Sequence, residues 1–131
     1  MLKGSIVALI TPFKNGNLDE DAYRELINYH LKNGSNGVVP GGTTGESPTL
    51  SHDEHKKIIE IAVSECKGKI PIVAGTGSNS TDEAVDLSKY AEKAGSDAIL
   101  VVTPYYNKPT QEGLYQHYKK INDNVGIPII I

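Results

Sequence analysis

The sequence has little cysteine, no block of like charge and no long apolar run. Among its 131 residues only Cys66 is a cysteine, which excludes an intrachain disulfide framework and the usual zinc site of four thiolates. No apolar run approaches the ~20 residues that a membrane-spanning helix requires, and no apolar secretion signal follows Met1. We therefore expect a cytoplasmic protein that has no membrane partner.

The charges are balanced and mixed along the chain. There are 13 Lys and Arg residues against 16 Asp and Glu residues, which makes a net charge of −3. A net charge this small gives no electrostatic reason to bind nucleic acid or an anionic membrane surface. Hydrophobic residues make up 38% before the 13 glycines are counted, which is a normal fraction for a folded protein. We expect one domain over residues 1–131, whose partner is a small molecule or another protein.

Five apolar runs of strand length alternate with helical patterns. The runs occupy residues 5–11, 37–40, 70–74, 98–103 and 127–131. Between them, apolar residues recur at helical spacing while polar residues fill the other helix faces. Strands that are apolar on both faces and are separated by helices are typical of a parallel sheet with right-handed crossovers. The pattern predicts an α/β fold.

The helix ends are marked by capping residues and by glycine. Capping boxes are predicted at residues 17–20, 51–54 and 80–83, where a Ser or Asn precedes a Glu by three positions. A glycine follows each helical pattern, at the point where a left-handed residue is favoured. These glycines are Gly34, Gly68, Gly95 and Gly126.

Polar residues collect in the loops that follow the strands. Glycine, threonine and tyrosine are concentrated in residues 41–46, 75–77 and 103–107, at the carboxyl edge where parallel α/β proteins place their sites. A doubly wound sheet and a (β/α)8 TIM barrel both fit this repeat. A barrel needs about 250 residues, whereas this chain has four βα units and the start of a fifth strand. We therefore expect half of a barrel, and a chain that is a fragment of a longer one.

The turn at residues 41–46 (GGTTGE) offers hydroxyl and backbone donors to a small ligand. It lacks the spacing and the lysine of a nucleotide phosphate loop, and no GxGxxG motif opens a helix after a strand. Adjacent threonine hydroxyls among glycines suit a carboxylate or a carbonyl oxygen. The same residues are equally typical of a tight turn between a strand and a helix.

Several motifs, taken in order and at their spacing, resemble one family of enzymes. They are residues 4–7 (GSIV), 42–47 (GTTGES), 74–77 (AGTG), 103–109 (TPYYNKP) and 111–118 (QEGLYQHY). Along its whole length the chain is similar to the dihydrodipicolinate synthase (4-hydroxy-tetrahydrodipicolinate synthase) family. Members are TIM-barrel lyases of the class I aldolase type, and they form homo-oligomers that are dimers of dimers. The last motif favours this family over N-acetylneuraminate lyase and the keto-deoxy-sugar aldolases.

The resemblance implies condensation of pyruvate with aspartate-semialdehyde in lysine (diaminopimelate) biosynthesis, without a metal or another cofactor. A barrel lysine forms a Schiff base with pyruvate, and a Thr-Tyr-Tyr relay moves protons on and off the intermediates. The iminium withdraws electrons, so that the pyruvate methyl group loses a proton near neutral pH. On the matching positions Thr43 is the relay threonine and contacts pyruvate, and Thr44 binds the pyruvate carboxylate. Tyr106 is the relay tyrosine that enters the neighbouring subunit's site.

Three functional residues of the family match no position in this chain. The Schiff-base lysine belongs to the sixth strand, and the second relay tyrosine and an arginine for the semialdehyde follow the fifth strand. Lys69 precedes its strand and Lys108 lies in a loop where water keeps it charged, so neither replaces the missing lysine. We expect these residues alone to be inactive.

A second set of positions resembles the family's regulatory lysine site at a subunit interface. A carboxylate such as Glu83 binds an ammonium group, and neighbouring imidazole, amide and phenol groups suit the other polar atoms of the ligand. The candidate residues are Ser47, Pro48, His52, His55, Gly77, Asn79, Glu83 and Tyr105. Both histidines also fit capping or packing roles on an amphipathic helix, and Pro48 stands where members with this site can carry alanine.

Two other functions fit the sequence. A self-associating half-barrel scaffold would pair its two open sheet edges with those of a second copy, without catalysis. A sister pyruvate aldolase such as N-acetylneuraminate lyase would keep the Schiff-base chemistry and act on a different substrate.

Overall fold

Five short parallel strands follow one another across the sheet in the order of the chain. The computed structural model describes residues 2–131. The strands are β1 (Ile6–Ala8), β4 (Gly37–Val39), β5 (Val73–Gly75), β6 (Ala98–Leu100) and β7 (Ile129–Ile130). The register pairs Val7 with Val38 and Ala74 with Ile99, and a single bridge from Val38 to Ile72 joins β4 to β5. Because the order never reverses, the arrangement is that of half a βα barrel and not of a doubly wound sheet.

Four helices cover one face of this sheet, each packing against the next. They are α1 (Glu20–Lys32), α2 (His52–Cys66), α3 (Thr81–Ala94) and α4 (Gln111–Asn122). Helix and strand residues share one apolar cluster that includes Ile27, Ile59 and Ile99, all fully buried. A second, smaller cluster holds the buried strand residues Val39, Val73 and Ala98. Past the ends of the strands, Ile10 is 56% exposed and Val102 is 39% exposed. The predicted four βα units and the start of a fifth strand are confirmed.

Of the three predicted capping boxes, only the one at α2 is complete. At α2 the capping box is present, because Ser51 Oγ accepts from the Glu54 amide and the Glu54 carboxylate accepts from the Ser51 amide. At α1 the predicted cap was wrong: Asp19, two residues after Asn17, accepts from the Ala22 amide at 3.0 Å. At α3 Ser80 is the cap, but the side chain of Glu83 hydrogen-bonds elsewhere.

The helix ends agree with the glycine pattern in three places out of four. Gly34, Gly68 and Gly95 have positive φ angles, as predicted. Gly126 was wrongly assigned, because α4 ends at Asn122 with Asp123 as its cap. The amide of Gly126 instead donates to a carboxylate oxygen of Glu92 at 2.8 Å.

A short hairpin precedes α1 and was not predicted. Strands β2 (Phe13–Lys14) and β3 (Asn17–Leu18) pair antiparallel around Asn15 and Gly16, whose φ angles are 53° and 79°. An Asn-Gly pair with two positive φ angles is the usual two-residue hairpin turn. The signal was present in the sequence, but the apolar alternation that normally accompanies it spans only a few residues here.

Candidate functional site

The turn after β4 is tightly folded and presents two threonines at the carboxyl edge. Thr43–Gly45 forms one turn of 3-10 helix, in which the Gly45 amide donates to the Gly42 carbonyl at 3.0 Å. The hydroxyl of buried Thr11 donates to the Gly45 carbonyl at 2.7 Å. Thr43 and Thr44 are exposed. The hydrogen bond from buried Thr11 therefore anchors the backbone of the turn, while both threonine side chains are accessible.

The loop after β6 holds two adjacent tyrosines in different environments. Tyr106 has a φ angle of 68°, and its side chain is 93% exposed. Tyr105 is half-buried and lines a neighbouring cavity. The amide of Asn107 donates to the Tyr105 carbonyl at 2.9 Å, and its side chain donates to the Asn79 carbonyl at 3.2 Å. These bonds hold the strained loop, which presents Tyr106 to the exterior of this chain.

A cavity of about 270 Å³ lies between the start of α2, the start of α3 and the loop after β6. Seven of the eight residues proposed for the regulatory site line it. They are Ser47, Pro48, His52, His55, Gly77, Glu83 and Tyr105. Asn79 is not among the lining residues; its carbonyl accepts from Asn107 instead. Three lining residues were absent from the sequence-based set, namely Leu50, Ser78 and Leu87.

The charge of this cavity is carried by Glu83. One carboxylate oxygen is 2.5 Å from His52 Nε2, and the other accepts from the Ser78 hydroxyl. The hydrogen bond from Ser78 is the largest cause that lowers the pKa of Glu83, and the neighbouring imidazole of His52 lowers it further against the effect of burial. Glu83 is therefore an anion at neutral pH inside a partly enclosed polar cavity.

His55 connects the cavity to the strand ends. Its Nε2 lies 2.7 Å from the carbonyl of Gly75 and donates a hydrogen bond to it. Burial lowers the pKa of His55, so the ring is neutral at pH 7 and carries its proton on Nε2. Gly41, which opens the GGTTGE turn, has a φ angle of 68°, and a Cβ there would lie 2.6 Å from His55 Nε2. Only glycine fits at this contact between the cavity and the turn.

The two lysines considered as Schiff-base candidates lie before β5 and after β6. Lys69 Nζ donates to the Glu65 carbonyl at 2.8 Å, before β5 begins. Lys108 is exposed in the loop after β6 with a φ angle of 43°. Within residues 2–131 no group of three His, Cys, Asp or Glu side chains could hold a metal ion. None of the helices in that range is both long and apolar enough to cross a membrane.

Strand order and polar strand-end loops together define a class of protein: a parallel βα half-barrel with polar loops at the carboxyl edge of its strands. The chain belongs to the dihydrodipicolinate synthetase family, whose sequence profile matches residues 1–131.

Curated relatives are similar along the whole chain. The 4-hydroxy-tetrahydrodipicolinate synthase of Pelagibacter ubique is 70% identical over 131 residues, which are 100% of this chain and 45% of that protein. The enzyme of the same name from Bradyrhizobium diazoefficiens is 68% identical over 129 residues, which are 98% of this chain and 44% of that protein. The chain thus spans less than half the length of these relatives.

Solved structures of the family superpose closely on this chain. Dihydrodipicolinate synthase from Aquifex aeolicus has a TM-score of 0.97 at 55% identity, covering 99% of this chain and 44% of its own. The chloride-inhibited enzyme from Acinetobacter baumannii, complexed with pyruvate, has a TM-score of 0.95 at 51% identity. The match covers 98% of this chain and 45% of that enzyme. The enzyme from Cyanidioschyzon merolae with lysine bound has a TM-score of 0.91 at 37% identity. The match covers 96% of this chain and 44% of that enzyme.

Proposed function

We propose that this chain forms the N-terminal half of a lyase that condenses pyruvate with aspartate-semialdehyde in lysine biosynthesis. The observation that carries the proposal is the anchored turn Thr43–Gly45, with two exposed threonines at the carboxyl edge of β4. A pyruvate complex of a family member, 51% identical, supports the substrate. The relatives' names support a synthase over a sister enzyme such as N-acetylneuraminate lyase.

In this proposal Thr44 of the turn binds the pyruvate carboxylate, and Thr43 transfers protons to and from the intermediate. The hydroxyl and amide of Thr44 donate to the pyruvate carboxylate. The Thr43 hydroxyl both accepts and donates, so it relays a proton between the intermediate and the hydroxyl of Tyr106. Because Tyr106 is 93% exposed, we assign it to the site of a second subunit. The Schiff-base lysine and the arginine for the semialdehyde would be supplied from outside these residues.

We further propose that the cavity around Glu83 binds free lysine as an effector. The Glu83 carboxylate would hold one ammonium group of the ligand, with His52 and Tyr105 as polar neighbours. The lysine complex of a family member, 37% identical, supports this assignment. Fixing Tyr105 would also bias its neighbour Tyr106, and coupling of this kind between two sites is typically about 1–3 kcal/mol.

The assembly and location of the enzyme are part of the same proposal. An exposed Tyr106 that serves a neighbouring site requires a homo-oligomer, which we propose to be a dimer of dimers. Burial raises the pKa of the Cys66 thiol to about 11, so the thiol stays protonated and unreactive. A lone, buried, free thiol is consistent with the cytoplasm as the site of the reaction.

A hybrid enzyme tests the proposed activity. In it, this chain replaces the matching segment of the Bradyrhizobium diazoefficiens relative, which is 68% identical over 129 residues. We expect the hybrid to consume pyruvate and aspartate-semialdehyde within about tenfold of the parent's turnover. We expect Thr44→Val to raise the KM for pyruvate about 10- to 100-fold through the loss of one hydrogen bond to the charged carboxylate. A hybrid that folds and assembles like the parent but does not turn over would contradict the proposal.

The open sheet edges favour a second candidate function. Within residues 2–131, β1 pairs only with β4 and β7 pairs only with β6, which leaves a free edge at each end of the sheet. Two copies of the chain could pair these free edges around a twofold axis, close one barrel and act as a scaffold. The solution mass of the chain alone decides this point: an obligate dimer supports the scaffold, and a monomer of 14.1 kDa contradicts it.

A further inference from the structure

The carboxylate of Glu83 is held through both of its oxygens. His52 Nε2 lies 2.5 Å from one oxygen, and the Ser78 hydroxyl donates to the other. The two partners differ in burial. The side chain of His52 is 65% exposed, whereas Ser78 is only 2% exposed. Of the two contacts, the one with Ser78 is therefore the one that water does not readily replace.

The orientation of the Ser78 hydroxyl is itself determined by the backbone. The Ser80 amide donates to Ser78 Oγ at 3.0 Å. A hydroxyl has a single hydrogen to donate, and with its oxygen already accepting from the Ser80 amide, that hydrogen is directed to Glu83. The chain from the Ser80 amide through Ser78 to Glu83 has one polarity, which favours the ionised carboxylate.

We propose that Ser78 is a positioning residue for an ammonium ligand: it holds the Glu83 carboxylate toward the cavity, ionised and in one rotamer. The inference rests on the proposed effector function of this cavity. Without the Ser78 hydroxyl, one oxygen of Glu83 loses its buried partner, and the carboxylate is held only through its contact with the exposed His52. A ligand with a primary ammonium group must then reorder Glu83 on binding, which weakens its affinity.

The test measures lysine binding by calorimetry in the hybrid enzyme. Ser78→Ala and the isosteric Ser78→Cys both remove the strong donor, and we expect the Kd for lysine to rise about 10- to 100-fold, the range for a hydrogen bond to a charged group. Ser80→Ala is the matched control. It removes the N-cap hydroxyl of α3 but keeps the backbone amide that orients Ser78, so its Kd should stay within about twofold.

A pH series separates positioning from general loss of structure. Binding requires ionised Glu83, and Ser78 holds the pKa of that carboxyl below its ordinary value. In Ser78→Ala the pKa rises, so lysine binding should be lost at a higher pH than in the hybrid without the substitution. A change that only loosened the start of α3 would not shift the pH at which lysine binding is lost on acidification.

The outcomes distinguish the two proposals. If the hybrid binds lysine, and Ser78→Ala binds it with the same Kd and loses it at the same pH, the positioning role is wrong and the effector proposal is retained. If Ser80→Ala weakens binding as much as Ser78→Ala, the effect is structural and the positioning role is again wrong. If the hybrid binds no lysine up to millimolar concentration, the effector proposal and the role of Ser78 both fail.

Discussion

The turn after β4 and the cavity around Glu83 are neighbours that differ in how their polar groups are satisfied. In the turn, Thr43 and Thr44 expose their side chains, and in the loop after β6 Tyr106 is 93% exposed. In the cavity, both oxygens of Glu83 have partners, and His55 is bonded to the Gly75 carbonyl. A polar network closed within one chain is preorganised, whereas exposed hydroxyls become ordered only when a partner arrives.

This difference assigns the two sites to different parts of a whole enzyme. The partners of Glu83 in the cavity are His52 and Ser78 of the same chain. The turn has an anchored backbone, whereas Lys69 Nζ is bonded to the Glu65 carbonyl and Lys108 is exposed in the loop after β6. We infer that the effector site is largely complete in these residues, and that catalysis requires groups from outside them.

The largest expected effect is on the catalytic side of the comparison. In the hybrid enzyme, Tyr106→Phe removes the proposed relay hydroxyl while keeping the ring. We expect turnover to fall by ~10²–10⁴, the range for one positioned proton-transfer group, with little change in pyruvate affinity. Steady-state kinetics on the assembled enzyme measure both.

Tyr115→Phe is the control for that substitution, since Tyr115 is a 59% exposed tyrosine on α4. It should leave turnover unchanged. If Tyr106→Phe dissociates the oligomer but leaves the turnover of assembled protein unaffected, Tyr106 is a packing residue and not part of the relay.

A second substitution should damage both regions at once. Gly41→Ala puts a Cβ 2.6 Å from His55 Nε2 at a positive φ angle, and strain of this kind costs about 1–3 kcal/mol before the clash is counted. We expect a lower thermal midpoint in the hybrid, a higher KM for pyruvate and weaker lysine binding. Gly34→Ala is the matched control, with a similar φ angle and nothing within 4 Å of its Cβ. If Gly34→Ala has the same effects, backbone strain explains them and the contact with His55 does not.

The anchor of the turn should matter for binding more than for chemistry. Thr11→Val removes the hydroxyl that donates to the Gly45 carbonyl and keeps the shape of the side chain. A single hydrogen bond is worth about 1 kcal/mol, so we expect the KM for pyruvate to rise about fivefold. Thr11→Ser, which keeps the donor, should retain most of the affinity. An unchanged KM in Thr11→Val would show that the turn needs no anchor.

The GGTTGE motif predicted the turn, which depends on one short run of sequence, and the family resemblance predicted seven of the ten residues that line the cavity. The roles of Thr11 and Ser78 were not predictable in this way. Each depends on a hydrogen bond to a partner that only the fold brings near, and a lone Thr or Ser carries no local signal. The same reason explains Gly126, whose position looked like a helix cap but whose amide bonds to the distant Glu92.

The smallest expected effect is a pH dependence of stability in the cavity. Burial lowers the pKa of His55 in the folded state, so the unfolded chain takes up a proton that the folded protein resists. Stability from this source is fully present above the ordinary histidine pKa of about 6.5 and falls as the pH drops below it. His55→Gln keeps a donor for Gly75 but does not titrate, so its thermal midpoint should change less with pH. An equally steep curve in His55→Gln would assign the slope to other groups.

The contrast between an incomplete catalytic site and a largely complete cavity is tested most directly by reductive trapping. The 131-residue chain and the hybrid enzyme are each incubated with pyruvate and borohydride, and adducts are mapped by peptide mass. We expect no stoichiometric adduct on the chain alone, and one adduct in the hybrid on a lysine of the relative's own segment. A single stoichiometric adduct on Lys108 of the chain alone would contradict the division of the two sites that we propose.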